Sequence, residues 1–139
     1  MTLADLLSPA RRSANMSRIR SSGTRPEMMV RRVAHNLGYR FRLQRKDLPG
    51  RPDLVFPRFR QVILVHGCFW HQHPGCREGR VPGSNTNYWA PKLERNVERD
   101  RDAEAALAEL GWRNLVIWEC ECRDANEIGR RIADFLGRP

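Results

Sequence analysis

The chain has 139 residues, enough for one domain to bury a core without disulfides. Its 25 Lys and Arg outweigh 16 Asp and Glu for a formal charge of +9, and nearly all the positive charge is arginine, which points to a polyanionic partner such as nucleic acid. Apolar runs stay as short as VILV at 62–65, and the first ten residues lack a basic segment ahead of an apolar one; this argues against a membrane span or secretory signal and for a cytoplasmic protein.

In chain order, residues 1–22 scatter Arg11, Arg12, Arg18 and Arg20 among small polar residues, and are expected to be a basic arm ahead of a single domain over 23–139. Thr24 as cap, Pro26 in the first turn and Glu27 as the returning half of a capping box predict a helix over about 25–37, with Met29, Val30, Val33, Ala34 and Leu37 at helical spacing. YRFRLQ alternates, DLVFP is entered from the turn LPGR, and QVILVHG is nearly continuous and suits a central strand. After a Gly/Pro/Asn-rich loop at 74–88, a helix is expected over 91–110, with Leu93, Val97, Leu107 and Leu110 as its apolar stripe and Gly111 as its stop. NLVIWEC reads as a strand and DANEIGRRIADFL as a helix capped by Asp124. The order predicts an α/β fold, a mixed sheet flanked by helices, with a meander followed by a helical crossover. That pattern is similar to the core of restriction-endonuclease-like nucleases.

The stretch HGCFWHQHPGC, 66–76, holds most of the chemistry. Cys68, His73 and Cys76 form C-x4-H-x2-C, a spacing and ligand softness that suit structural zinc, although small cysteines in a core would also explain them. A closed site needs a fourth ligand. Cys120 at the end of NLVIWEC is the leading candidate and Cys122 its rival, since alternation gives both the same face. His66 and His71 are then left over, one hairpin from Asp53 in GRPDLVF. A carboxylate to hold Mg²⁺ and a histidine base are the equipment of phosphodiester hydrolysis; alone, Asp53 also fits an ordinary turn. Asp100 falls on the apolar stripe of the 91–110 helix, so it requires a partner: the ring N–H of His71, or an arginine from another element.

With GRPDLVF, HGCFWHQH, Cys76, NVERDR and LGWRNLVIWEC all in order, the chain resembles the very short patch repair (Vsr-type) mismatch endonucleases, from SANMSRIRSSGTRPE to VIWEC. The resemblance implies a divergent restriction-endonuclease fold that nicks duplex DNA 5′ of the T in a T:G mismatch left by 5-methylcytosine deamination, with catalytic Mg²⁺ and structural Zn²⁺. It implies Asp53 and the backbone carbonyl of Val65 as Mg²⁺ ligands, His71 as general base, Asp100 as its orienting partner and His66 as a supporting histidine. Glu27 matches an acidic position near the site, and Cys68, His73, Cys76 and Cys120 become the zinc ligands. Phe69 and Trp70, which a zinc-pinned loop has little room to bury together, would form a wedge between base pairs, with Met16 of the arm entering from the other groove. A bacterial, nucleoid-associated monomer is implied, linked to a DNA cytosine methyltransferase and to mismatch-repair proteins. Gln72 and the PGC ending of the zinc loop depart from the family pattern. Two alternatives compete: a restriction-type endonuclease cutting matched DNA, and a non-catalytic zinc-stabilised DNA-binding module.

Overall fold

The computed structural model describes residues 24–81, 83 and 86–138; the basic arm, Met16 included, lies outside them. Helix α1 (Arg25–Asn36) begins where its cap predicts, the Thr24 hydroxyl accepting the Glu27 N–H at 3.4 Å. Strand β1 (Arg42–Leu43) is shorter than the alternation of YRFRLQ suggests, because Gln44 takes a left-handed backbone (φ 46°) that breaks the extended run. Strands β2 (Leu54–Phe56) and β3 (Gln61–His66) pair antiparallel, with Leu54 opposite Ile63.

Helix α2 (Thr86–Glu109) starts five residues before the predicted 91, so that Pro91 lies inside it rather than in its first turn. The extra turn carries Trp89, which is buried against Trp70 and Leu93, and this contact outweighs the backbone bond that proline cannot make. Strand β4 (Arg113–Trp118) then runs parallel to β3 along its whole length. It stops two residues short of the predicted end, where a 3₁₀ turn (Glu119–Glu121) follows and the Glu121 carboxylate accepts the Trp118 N–H at 2.8 Å. Helix α3 (Ala125–Leu136) is capped as expected by Asp124, which accepts from Asn126 and Glu127 at 3.0 and 3.3 Å.

The sheet has the order β1-β2-β3-β4, mixed as predicted, with a meander and one crossover through α2. Side-chain alternation assigns its two faces. Leu54, Phe56, Ile63 and Ile117 pack with Val30 and Ala34 of α1 and Ile128 and Ile132 of α3, whereas Val55 and Val62 pack with Leu48 and with Leu107 of α2. Each fully buried aliphatic contributes about 1.5–3 kcal/mol, and cover on both faces explains why β3 reads as an unbroken apolar run. The predicted stripe of α2 is corrected at one end: Leu110 lies past the helix and is 51% exposed, while Trp89, Leu93, Asn96 and Leu107 are buried. No described helix is long and apolar enough to cross a membrane.

Candidate active site

The hairpin register brings the start of β2 beside the end of β3. Asp53 Oδ2 accepts the Val65 N–H at 2.6 Å, and the Glu27 carboxyl of α1 and the Arg31 guanidinium also act on its carboxyl. Burial first, and then Glu27, push the Asp53 carboxyl up to about 8. Glu27 is itself 3% exposed, ion-paired with Arg31, and accepts from Gln44 Nε2 at 3.4 Å. Its carboxylate therefore belongs to the cleft as well as to the start of α1. Two adjoining carboxyls, partly or wholly buried, are a hard oxygen donor set of the kind that fits Mg²⁺.

The last residue of β3, His66, is buried and stacks on His71 with ring centroids 3.8 Å apart and planes within 6°; Trp118 meets it edge-on at 5.2 Å. Burial, reinforced by His71, lowers the His66 pKa to about 4, so its ring is neutral near pH 7. His71 Nδ1 lies 2.6 Å from Asp100 Oδ2. Between the two partners left open for Asp100, the fold thus takes the histidine. Glu27, Asp53, Val65, His66, His71 and Asp100 all line one cleft of about 720 Å³.

On the far side of the same loop, Cys68, His73, Cys76 and Cys120 place one ligand atom each within 4.8 Å of one another. His73 Nδ1 lies 3.7 Å from Cys68 Sγ and 3.4 Å from Cys120 Sγ, while tetrahedral zinc would hold such a nitrogen and sulfur about 3.6 Å apart. The donor set therefore fits zinc. Burial, with the neighbouring thiols, pushes Cys68 up to about 12, so a thiolate there needs a cation beside it. Cys122 turns away, its Sγ lying 3.9 Å from the Pro26 carbonyl and 3.6 Å from that of Trp118. The two cysteines do not share a strand face, because β4 has already given way to the 3₁₀ turn that carries Cys120.

Phe69 and Trp70 part company. Trp70 is only 7% exposed, packed with Trp89 and Leu93, whereas Phe69 is partly exposed and edge-on to both tryptophans at 5.3 Å. The loop thus buries one of the two rings.

Three further residues support the site without standing out in the sequence. Asn96, buried one turn before Asp100, donates from Nδ2 to the Trp70 carbonyl at 3.1 Å and so ties α2 to the histidine loop. Gln72, noted only as a departure, bonds the carbonyls of Phe69 and Gly79 at 2.7 and 2.9 Å. Trp118 stacks on His73 at 4.2 Å and thereby links the cysteine–histidine cluster to His66. The place of Asn96 in NVERDR, a helical turn from Asp100, was the available hint.

Comparison with known proteins matches residues 4–77, more than half the chain, to the family described as DNA mismatch endonuclease Vsr. The chain is 54% identical over 134 residues to the type II nicking enzyme V.XorIIP of Xanthomonas oryzae pv. oryzae, covering 96% of this chain and 98% of that one. It is 37% identical to the type II nicking enzyme V.NmeAIP of Neisseria meningitidis, covering 96% and 100%. Against the DNA mismatch endonuclease Vsr of Escherichia coli K12 it is 43% identical, covering 91% and 80%. Sequence, cleft and relatives agree: the chain belongs to the Vsr family of DNA nicking endonucleases.

Proposed function

We propose that this enzyme nicks one strand of duplex DNA 5′ of the T in a T:G mismatch of the kind left by 5-methylcytosine deamination. The observation that carries the hydrolytic half of this reading is the His71–Asp100 contact at 2.6 Å on the wall of the cleft that holds Asp53. A carboxylate only accepts, so His71 Nδ1 keeps the proton and Nε2 is left as the acceptor that takes one from water. Asp100 offsets the charge that His71 then gains, and the neutral ring of His66 stacked on it adds no second charge.

Asp53, with the Val65 carbonyl and Glu27 beside it, would hold Mg²⁺. That ion supplies positive charge against the phosphoryl oxygens. Cys68, His73, Cys76 and Cys120 would hold Zn²⁺, which would cross-link the loop bearing His71 to the turn that follows β4. Phe69, backed by Trp70, is assigned as a wedge at the mismatch, together with Met16 of the arm. A mispair has already lost part of its stacking, and a difference of about 1–3 kcal/mol favours it roughly 5- to 150-fold before any base is read. We assign residues 23–139 to one nuclease domain acting as a monomer in the bacterial cytoplasm, alongside a cytosine methyltransferase and mismatch-repair proteins.

A second reading has its own support: two of the relatives are named type II nicking enzymes rather than mismatch endonucleases. It is site-specific nicking of matched DNA. End-labelled duplexes differing only in one T:G or T:A pair separate the two, since a single nick confined to the T-bearing strand of the T:G duplex is expected and equal nicking of both duplexes favours the second. Asp53→Ala is expected to lower nicking by at least about 100-fold with folding and zinc content retained. Unchanged cleavage by that variant removes Asp53 from the chemistry.

A further inference from the structure

Four non-glycine residues among those described hold left-handed backbone: Gln44 (φ 46°), Arg51 (φ 44°), Arg60 (φ 53°) and Gln72 (φ 52°). Three of them commit their side chains within the chain. Gln44 reaches Glu27, Arg60 donates to the Leu110 carbonyl at 2.8 Å, and Gln72 bonds the carbonyls of Phe69 and Gly79. The Arg51 guanidinium alone has no such partner among the described residues; it is exposed, and it lines the cleft with Asp53, His71 and Asp100.

Its neighbours leave the backbone little choice. Pro52 is fully buried, and Gly50 (φ 76°) lies so close to α2 that an added Cβ would stand 2.8 Å from the Cβ of Ala103, one turn beyond Asp100. The Arg51 N–H meanwhile donates to the Leu48 carbonyl at 3.2 Å. An arginine is thus held on both sides in a conformation that glycine would adopt more readily, and Asp53, engaged with Val65 and Glu27, does not neutralise it. Arg25 and Lys46 also line the cleft, but on ordinary backbone.

We propose that Arg51 is a phosphate-positioning residue: its planar fork grips a phosphate of the bound DNA strand at the cleft mouth and sets the phosphodiester against Asp53 and His71. This rests on the cleft being the nicking site. The test compares Arg51→Gly and Arg51→Lys with the wild type in three measurements: melting temperature, salt dependence of duplex binding without Mg²⁺, and single-turnover nicking with it.

Glycine suits the backbone, so Arg51→Gly is expected to hold or raise the melting temperature. The slope of log K against log salt should become shallower by about 0.9, the loss of one phosphate contact, and nicking should fall at least about tenfold. Arg51→Lys should keep the slope and recover part of the rate. An unchanged slope overturns the proposal, whatever the melting temperature does. A shallower slope with an unchanged rate also overturns it, because Arg51 is then a contact that positions nothing. Should the wild type nick no duplex, the nicking reading fails by itself, and the slope still decides whether Arg51 holds a phosphate.

Discussion

In the proposed reaction Asp100 would act at a distance from the phosphodiester, through the ring it touches. With a carboxylate 2.6 Å from Nδ1, His71 must carry its proton there, and only this tautomer leaves Nε2 free to accept. Asp100→Asn retains the shape and one hydrogen bond but offers an N–H as well as a carbonyl, so the opposite tautomer becomes available. Nicking by Asp100→Asn is expected to fall about 10²- to 10⁴-fold in single-turnover assays, with little change in melting temperature. A rate within about threefold of wild type would show that Asp100 does not set the tautomer. The acid itself was legible in the sequence, because a 3.6-residue period sets it among apolar positions that demand a partner. Residue pattern alone left the partner open, since an arginine brought by any other element meets the same electrostatic requirement; the family resemblance named His71. Asn96 was less legible still, because a buried asparagine differs from a solvent-facing one only in what surrounds it.

The cysteine–histidine cluster depends on where β4 ends. As a strand through residue 120, NLVIWEC would give Cys120 and Cys122 the same face; as a 3₁₀ turn from Glu119, it sends Cys120 toward His73 and Cys122 toward Pro26. Apolar alternation continues past Trp118 and so conceals the boundary, which the Glu121 carboxylate sets by capping the Trp118 N–H. Cys120→Ser is expected to lose most of the bound zinc and to melt roughly several degrees lower, whereas Cys122→Ser keeps its zinc. Metal analysis of the two purified variants checks this, and zinc loss confined to Cys122→Ser would reverse the assignment. The start of α2 was concealed in a similar way. Trp89 pulls the helix back to Thr86 by packing on Trp70, a contact between residues 19 positions apart that no local period records.

At the scale of the molecule, two kinds of cohesion meet in the cleft. The sheet and its helices close over apolar clusters led by Phe56, Ile63 and Ile117 on one face and by Val55, Val62 and Leu107 on the other. Residue pattern was enough to foresee this part, because burial on both faces of β3 writes itself as an apolar run. The left-handed backbone of Arg51 left no comparable trace, since a dihedral angle follows from what packs beside it. The His71 loop is different again: its backbone bonds are short-range, such as His71 N–H to the Gly67 carbonyl at 3.1 Å and His73 N–H to that of Cys68 at 2.9 Å. Its ties to the rest are the tryptophan cluster, Asp100, Asn96, the cysteine–histidine set, the ring stacks of His71 on His66 and of His73 on Trp118, and the exposed Glu78–Arg123 ion pair. Chelating the zinc should therefore loosen the loop before the sheet. Amide exchange is expected to accelerate across residues 67–79 while β3 and β4 stay protected, and nicking should vanish, returning only when Zn²⁺ is restored along with Mg²⁺. Exchange that accelerates equally in β3 would make the metal part of the core. Exchange and nicking that ignore the chelator would leave Cys68, His73, Cys76 and Cys120 as packing alone, with the His71–Asp100 contact standing without them.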